Sequence, residues 1–230
     1  MSICISAFLG KKTDDLDARF IQAFSKLGFD VQLHPELTLA KSSAQGILYL
    51  RISKTPAEFL RIEAGTPLLI AFEFHMQKRE KKEARSMSWP PRGVAAYSYT
   101  ASSRTAAGRS HSAATMQILS MAILAKESDG YFHADDEEVA SPGELALDRA
   151  VQEQHLFNRI NFDADAYRFE SWPPIDGMTA FVWPKKIAPP ESVTKTIPKR
   201  RSRFRYKFSW LHLVSALLVS YLVLITLLYP

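Results

Sequence analysis

Glu73 and His75 occupy alternate positions of an apolar run, Leu68 to Met76. Residues two apart on an extended strand share one face at about 7 Å, so this pair has the residue types for an acid and a base acting on one substrate. The same letters describe an ordinary polar sheet edge, which needs no substrate, and that reading takes precedence. Ser110, His111 and Ser112 precede a second apolar run. Backbone amides at a helix start can hold an anion, yet adjacent residues do not converge and the chain has no G-x-S-x-G elbow. Capping by Ser110 or Ser112 explains them. Arg104, Gly108 and Arg109 read as a basic loop, without the further glycines and the Lys-Ser/Thr of a phosphate cradle.

Asp135, Asp136, Glu137 and Glu138 are four consecutive acids. A hard cation needs several converging oxygens, whereas consecutive side chains diverge and no D-x-D-x-D-G loop is present. Asp163 and Asp165 supply too few oxygens. Cys4, the single cysteine, sits in an apolar strand where a thiol behaves as a small hydrophobe. One cysteine excludes an internal disulfide and a Cys-rich zinc module, and it points to a reducing compartment. The sequence therefore assigns no catalytic residue, no metal site and no cofactor.

Charge is divided unevenly. The chain has 230 residues, 29 Lys and Arg, 24 Asp and Glu and a formal charge of +5. All 24 acids lie at or before Glu191, where 22 of the cations also lie, so this part is mildly acidic. The excess of cations is Lys195, Lys199, Arg200, Arg201, Arg203, Arg205 and Lys207. Binding of a polyanion by the folded part is not implied by such a balance.

Trp210 to Tyr229 is a run of 20 residues without a charged side chain. A helix of that length spans about 30 Å, the thickness of a bilayer's hydrocarbon core. Trp210 and Tyr229 stand where amphipathic rings favour the interface. The basic run Lys199 to Lys207 precedes the span and only Pro230 follows it. Such flanks lie on the cytoplasmic side, and their cations meet anionic head groups. Phe204, Tyr206 and Phe208 interleave with these cations as in single-strand binders, but beside a span lipid is the simpler partner and nucleic acid is not expected. The amino-terminal apolar stretch is short and its lysines follow it, so it is no secretory signal. The expected organisation is a cytoplasmic domain over 1–183, a Pro-rich linker over 184–198, a basic segment over 199–209 and a single anchor over 210–229.

Within the domain, apolar runs of strand length alternate with helical patterns. Strands are expected at Ile3 to Leu9, Asp30 to Leu33, Gly46 to Ile52, Leu68 to Met76, Gly93 to Thr100 and Asp129 to His133, with an edge strand at Met178 to Val182. A helix from Thr13 to Gly28 carries acids in its first turn, where the dipole favours them. Residues 112 to 127 form a helix with almost no polar face, which must be buried on most sides. Ser141, Pro142, Gly143 and Glu144 form a capping box for a helix reaching Phe157. The expected class is α+β, with helices packed on one face of a mainly antiparallel sheet, loosely ferredoxin-like with additions.

The functional expectation is a tail-anchored membrane protein whose domain binds a protein partner. The acidic turn Asp135 to Glu138 is the patch expected to meet a basic partner. By class analogy, the partner would be a secreted bacterial toxin and this chain its immunity protein. The alternative is a hydrolase working on a lipid or peptidyl substrate at the inner leaflet through a constellation of His75, His111, Glu73 and the acids near Asp135.

Overall fold

The structure, a computed structural model, describes residues 2–40, 44–57, 59, 65–79, 97–106, 110–135, 137, 139–157, 162, 166–175 and 186–187. Among the described residues, eight strands form one antiparallel sheet: β1 (Ser2–Leu9), β2 (Asp30–Leu33), β3 (Ala44–Lys54), β4 (Leu68–Lys78), β5 (Tyr99–Ala106), β6 (Tyr131–Ala134), β7 (Ser141–Pro142) and β8 (Tyr167–Arg168). Three helices accompany it among the described residues, α1 (Leu16–Lys26), α2 (His111–Glu127) and α3 (Gly143–Phe157). The class is α+β, as expected.

The sheet order is β2-β3-β4-β5-β1-β6-β7, and β8 pairs with the start of β4. Because every pair is antiparallel, β1 and β2 are parallel across three intervening strands, and β5 and β6 are parallel across β1. Two helical crossovers thus leave antiparallel strands and travel in opposite directions along the sheet. Crossovers of one hand then deliver both helices to one face. Register agrees: Ile5, Ala7, Leu50, Ile70, Phe72, Phe74 and Ala101 are buried on the face that meets the helices.

Local chemistry explains the elements. Leu16, Phe20 and Phe24 repeat at one turn and are fully buried. Helix α1 starts three residues after Thr13, whose hydroxyl bonds the Asp15 carboxylate. Asp17 instead fixes a loop, accepting the Leu39 amide at 2.6 Å. Gly28, at φ 84°, ends the helix by letting the Phe29 amide reach the Phe24 carbonyl at 3.0 Å, the left-handed termination that glycine permits. Helix α2 is capped by Ser110, which accepts the Ala113 amide at 3.1 Å. It ends through Asp129 at φ 51°, with the Gly130 amide donating to Ala125 at 2.7 Å. Helix α2 packs against α1, α3 and four strands, which accounts for its lack of a polar face.

Three expectations shift. The strand at Gly93 to Thr100 is β5 at Tyr99–Ala106, so Arg104 lies in a strand and not in a loop. Ser141 and Pro142 pair with β6, and α3 begins at Gly143. Lys186 bridges Tyr167 and Ile187 is 2% exposed, so packed chain extends into the proline-rich stretch. Met178 to Val182, most of the linker, the basic segment and the expected span lie outside the described residues. Among the described residues no helix is long and apolar enough to cross a membrane.

Among the described glycines, backbone contact is closest at Gly130, where an added Cβ would lie 1.9 Å from the Phe8 carbonyl oxygen. Strand β1 and the turn after α2 must part to admit it, at a cost of about 3 kcal/mol. Gly65 offers the contrast: φ is 85° but nothing lies within 4 Å, so alanine there costs only about 1 kcal/mol of backbone strain. Thermal melts of the two alanine variants should therefore separate clearly, with Gly130→Ala the lower.

Candidate functional site

The face of the sheet away from the helices is partly covered. The segment after β8 lies over β3: the Arg51 guanidinium stacks on Phe169 at 5.1 Å, and Trp172 meets His34 edge-on at 5.2 Å. His34 Nδ1 accepts the Glu36 amide at 3.2 Å, so Nε2 carries the proton and donates to the Pro173 carbonyl at 2.8 Å. Tyr49 beneath is 4% exposed, and burial raises its hydroxyl pKa.

Over β4, β5 and β1 the face stays polar. Register sets Glu73, Arg104 and Cys4 in one row and His75, Ser102 and Ser6 in the next. Cys4, Gly46, Glu73, His75, Ser102 and Arg104 line a shallow depression. Here the two sequence candidates have separate partners: Arg104 Nε donates to Glu73 at 3.1 Å with both side chains more than half exposed, and His75 Nε2 lies 3.1 Å from Gln77 Oε1. An acid and a base acting on one proton must face a shared position. These point to different neighbours, and the arrangement is that of a solvated sheet face. His111 is exposed at the first turn of α2, beside the Ser110 cap. Among the described residues no three metal-ligating side chains gather.

The acidic turn follows β6. Asp135 is exposed, and its amide donates to the Cys4 carbonyl at 3.2 Å. Glu137 has structural ties that the sequence did not disclose. Its amide donates to Ala134 at 2.9 Å, its carbonyl lies 2.9 Å from His133 Nε2, and its carboxylate takes Arg149 of α3 at 2.6 Å. Asp136 and Glu138 are outside the described residues, as are Lys199, Arg200, Arg201, Arg203, Arg205 and Lys207. Glu137 is thus held at both backbone and side chain while Asp135 faces water. Sequence reasoning missed Arg149 and Glu153 on α3. Their signal was Leu145, an extra large apolar residue in a helix whose buried face Ala146, Leu147 and Ala150 already supply.

Comparison of the chain with protein-family models, curated proteins and solved structures finds no match.

Proposed function

We propose that the chain is a membrane-anchored protein whose amino-terminal domain binds a basic protein partner through the turn after β6. The observation that carries this reading is the anchoring of Glu137 by three bonds, with Asp135 exposed two residues away. A recognition element that is already ordered loses less entropy on binding. Exposed carboxylates steer a cationic partner and raise its association rate. The anchor at Trp210 to Tyr229 and the cations Lys199 to Lys207 place the domain beside the cytoplasmic leaflet. Confinement of both partners to that layer raises their effective concentration. A secreted toxin acting at a bacterial inner membrane, with this chain as its immunity protein, is the partner class that fits tethering, charge and size together.

The test begins with a photo-crosslinking residue at Asp135 in the intact chain, to identify the partner in its own membrane. Asp135, Asp136 and Glu138 are then changed to lysine, with Glu137 kept for its bond to Arg149. Association should slow by about tenfold or more at low salt and by much less at high salt, with the melting temperature unchanged. Equal rates at both salt concentrations would remove the turn from recognition. Turnover of a lipid or peptide by the pure protein, lost in His75→Ala or His111→Ala, would put the hydrolase reading in its place.

A further inference from the structure

Beside the acidic turn, a cavity of about 200 Å³ opens between α3 and the β1-β6 end of the sheet. Ile3, Ile118, Phe132 and Ala150 make its walls apolar, while Glu137, Arg149 and Glu153 stand at it as charged residues. An apolar cavity of about 150 Å³ accommodates benzene, so the space suits one large side chain and falls short of the about 300 Å³ at which ordinary ligand pockets begin. Three of the four large apolar side chains exposed among the described residues belong to this neighbourhood. Ile3 is 41% exposed and lines the cavity; Val139, at 62%, is two residues from Glu137; Leu145, at 58%, precedes Ala146 in α3.

The charges around the cavity are unbalanced. Arg149 is already bound to Glu137 Oε1, which leaves Glu153 and the second oxygen of Glu137. That oxygen, Oε2, is shielded from solvent and accepts no hydrogen bond. A shielded carboxylate oxygen without a donor is costly, and because the Glu137 side chain is 25% exposed, a small rotation would present that oxygen to a lysine or arginine arriving with the occupant. An anionic lipid chain would bring the wrong charge.

Resting on the protein-binding reading above, we infer that this slot takes one large apolar side chain from a basic segment of the partner protein, with a neighbouring cation bound by Glu137 and Glu153. The acidic turn then governs approach, and the slot governs retention.

The full chain, held in detergent micelles, is titrated by calorimetry with a synthetic lysine-rich peptide carrying one central leucine, and with the same peptide carrying alanine there. The leucine peptide should bind about tenfold or more tightly, as burial of one such side chain implies. Ile3→Asp is the deciding variant. It adds negative charge, so a purely electrostatic contact would tighten, whereas a slot that holds the leucine loses affinity towards the alanine level. Glu153→Lys, on an exposed position, should weaken both peptides, and the melting temperatures of both variants serve as the folding control. Equal binding of the two peptides overturns the slot and leaves recognition by the acidic turn standing. Absence of binding by either peptide overturns the slot and the choice of a basic partner together.

Discussion

Leu119→Asp should leave no folded domain. Leu119 is fully buried in α2, the helix that touches α1, α3 and four strands. The same helix buries a polar residue two positions earlier without harm, and the comparison explains the expected size of the effect. Gln117 is also fully buried, but its carbonyl accepts the Thr105 hydroxyl at 2.7 Å, and its amide nitrogen donates to Ser103 Oγ at 3.1 Å and to the Ile3 carbonyl at 3.3 Å. Every polar atom of that side chain has a partner. A carboxylate at 119 would arrive among apolar side chains and lose its hydration, at a cost of several kcal/mol. Domains of this size have only about 5–15 kcal/mol in reserve. Circular dichroism should show loss of the cooperative melt. A variant that melts as the parent does would mean that α2 is not packed at the centre of the domain.

The second large effect concerns location. Removal of residues 208–230 should transfer the chain from the membrane pellet to the supernatant, because the apolar run from Trp210 to Tyr229 is the expected source of insertion. The basic residues that remain contribute about 1 kcal/mol each next to an anionic surface, a contribution that salt screens within about 10 Å. A wash at high salt should therefore release the truncated chain completely and the full chain not at all. Retention of the truncated protein under that wash would place the membrane contact elsewhere.

The legible and illegible parts of this molecule differ in physical kind. Helix α2 was plain because its near-continuous apolar letters have one stable setting, and α1 was plain because Gly28 follows an amphipathic run. These are local properties. Strand β5 was misplaced because Tyr99–Ala106 contains Thr, Ser and Arg at positions whose suitability depends on partners elsewhere: Ser103 and Thr105 are buried only because Gln117 meets them. The order of elements suggested two strand-helix-strand units, but not that β1 would stand between β5 and β6. At the site, the four acids were visible, whereas the bond from Glu137 to Arg149 joins residues 12 apart on separate elements. The apolar slot beside them is assembled from five stretches of chain, and no single stretch advertises it.

The place of β1 in the sheet also dictates when the domain can be completed. Strand β1 pairs Ser2 with Ala106 and Phe8 with Tyr131, so its two neighbours, ending at Ala106 and Ala134, both come from far along the chain. Strands β2 to β5 are adjacent in sequence order and can form a meander meanwhile. Non-local closure of this kind is slow because the loop entropy is lost before the contacts form. During that interval an apolar strand with two free edges is exposed to other nascent chains. Completion of the sheet thus waits on the return of β1 to its middle, and aggregation competes at that step.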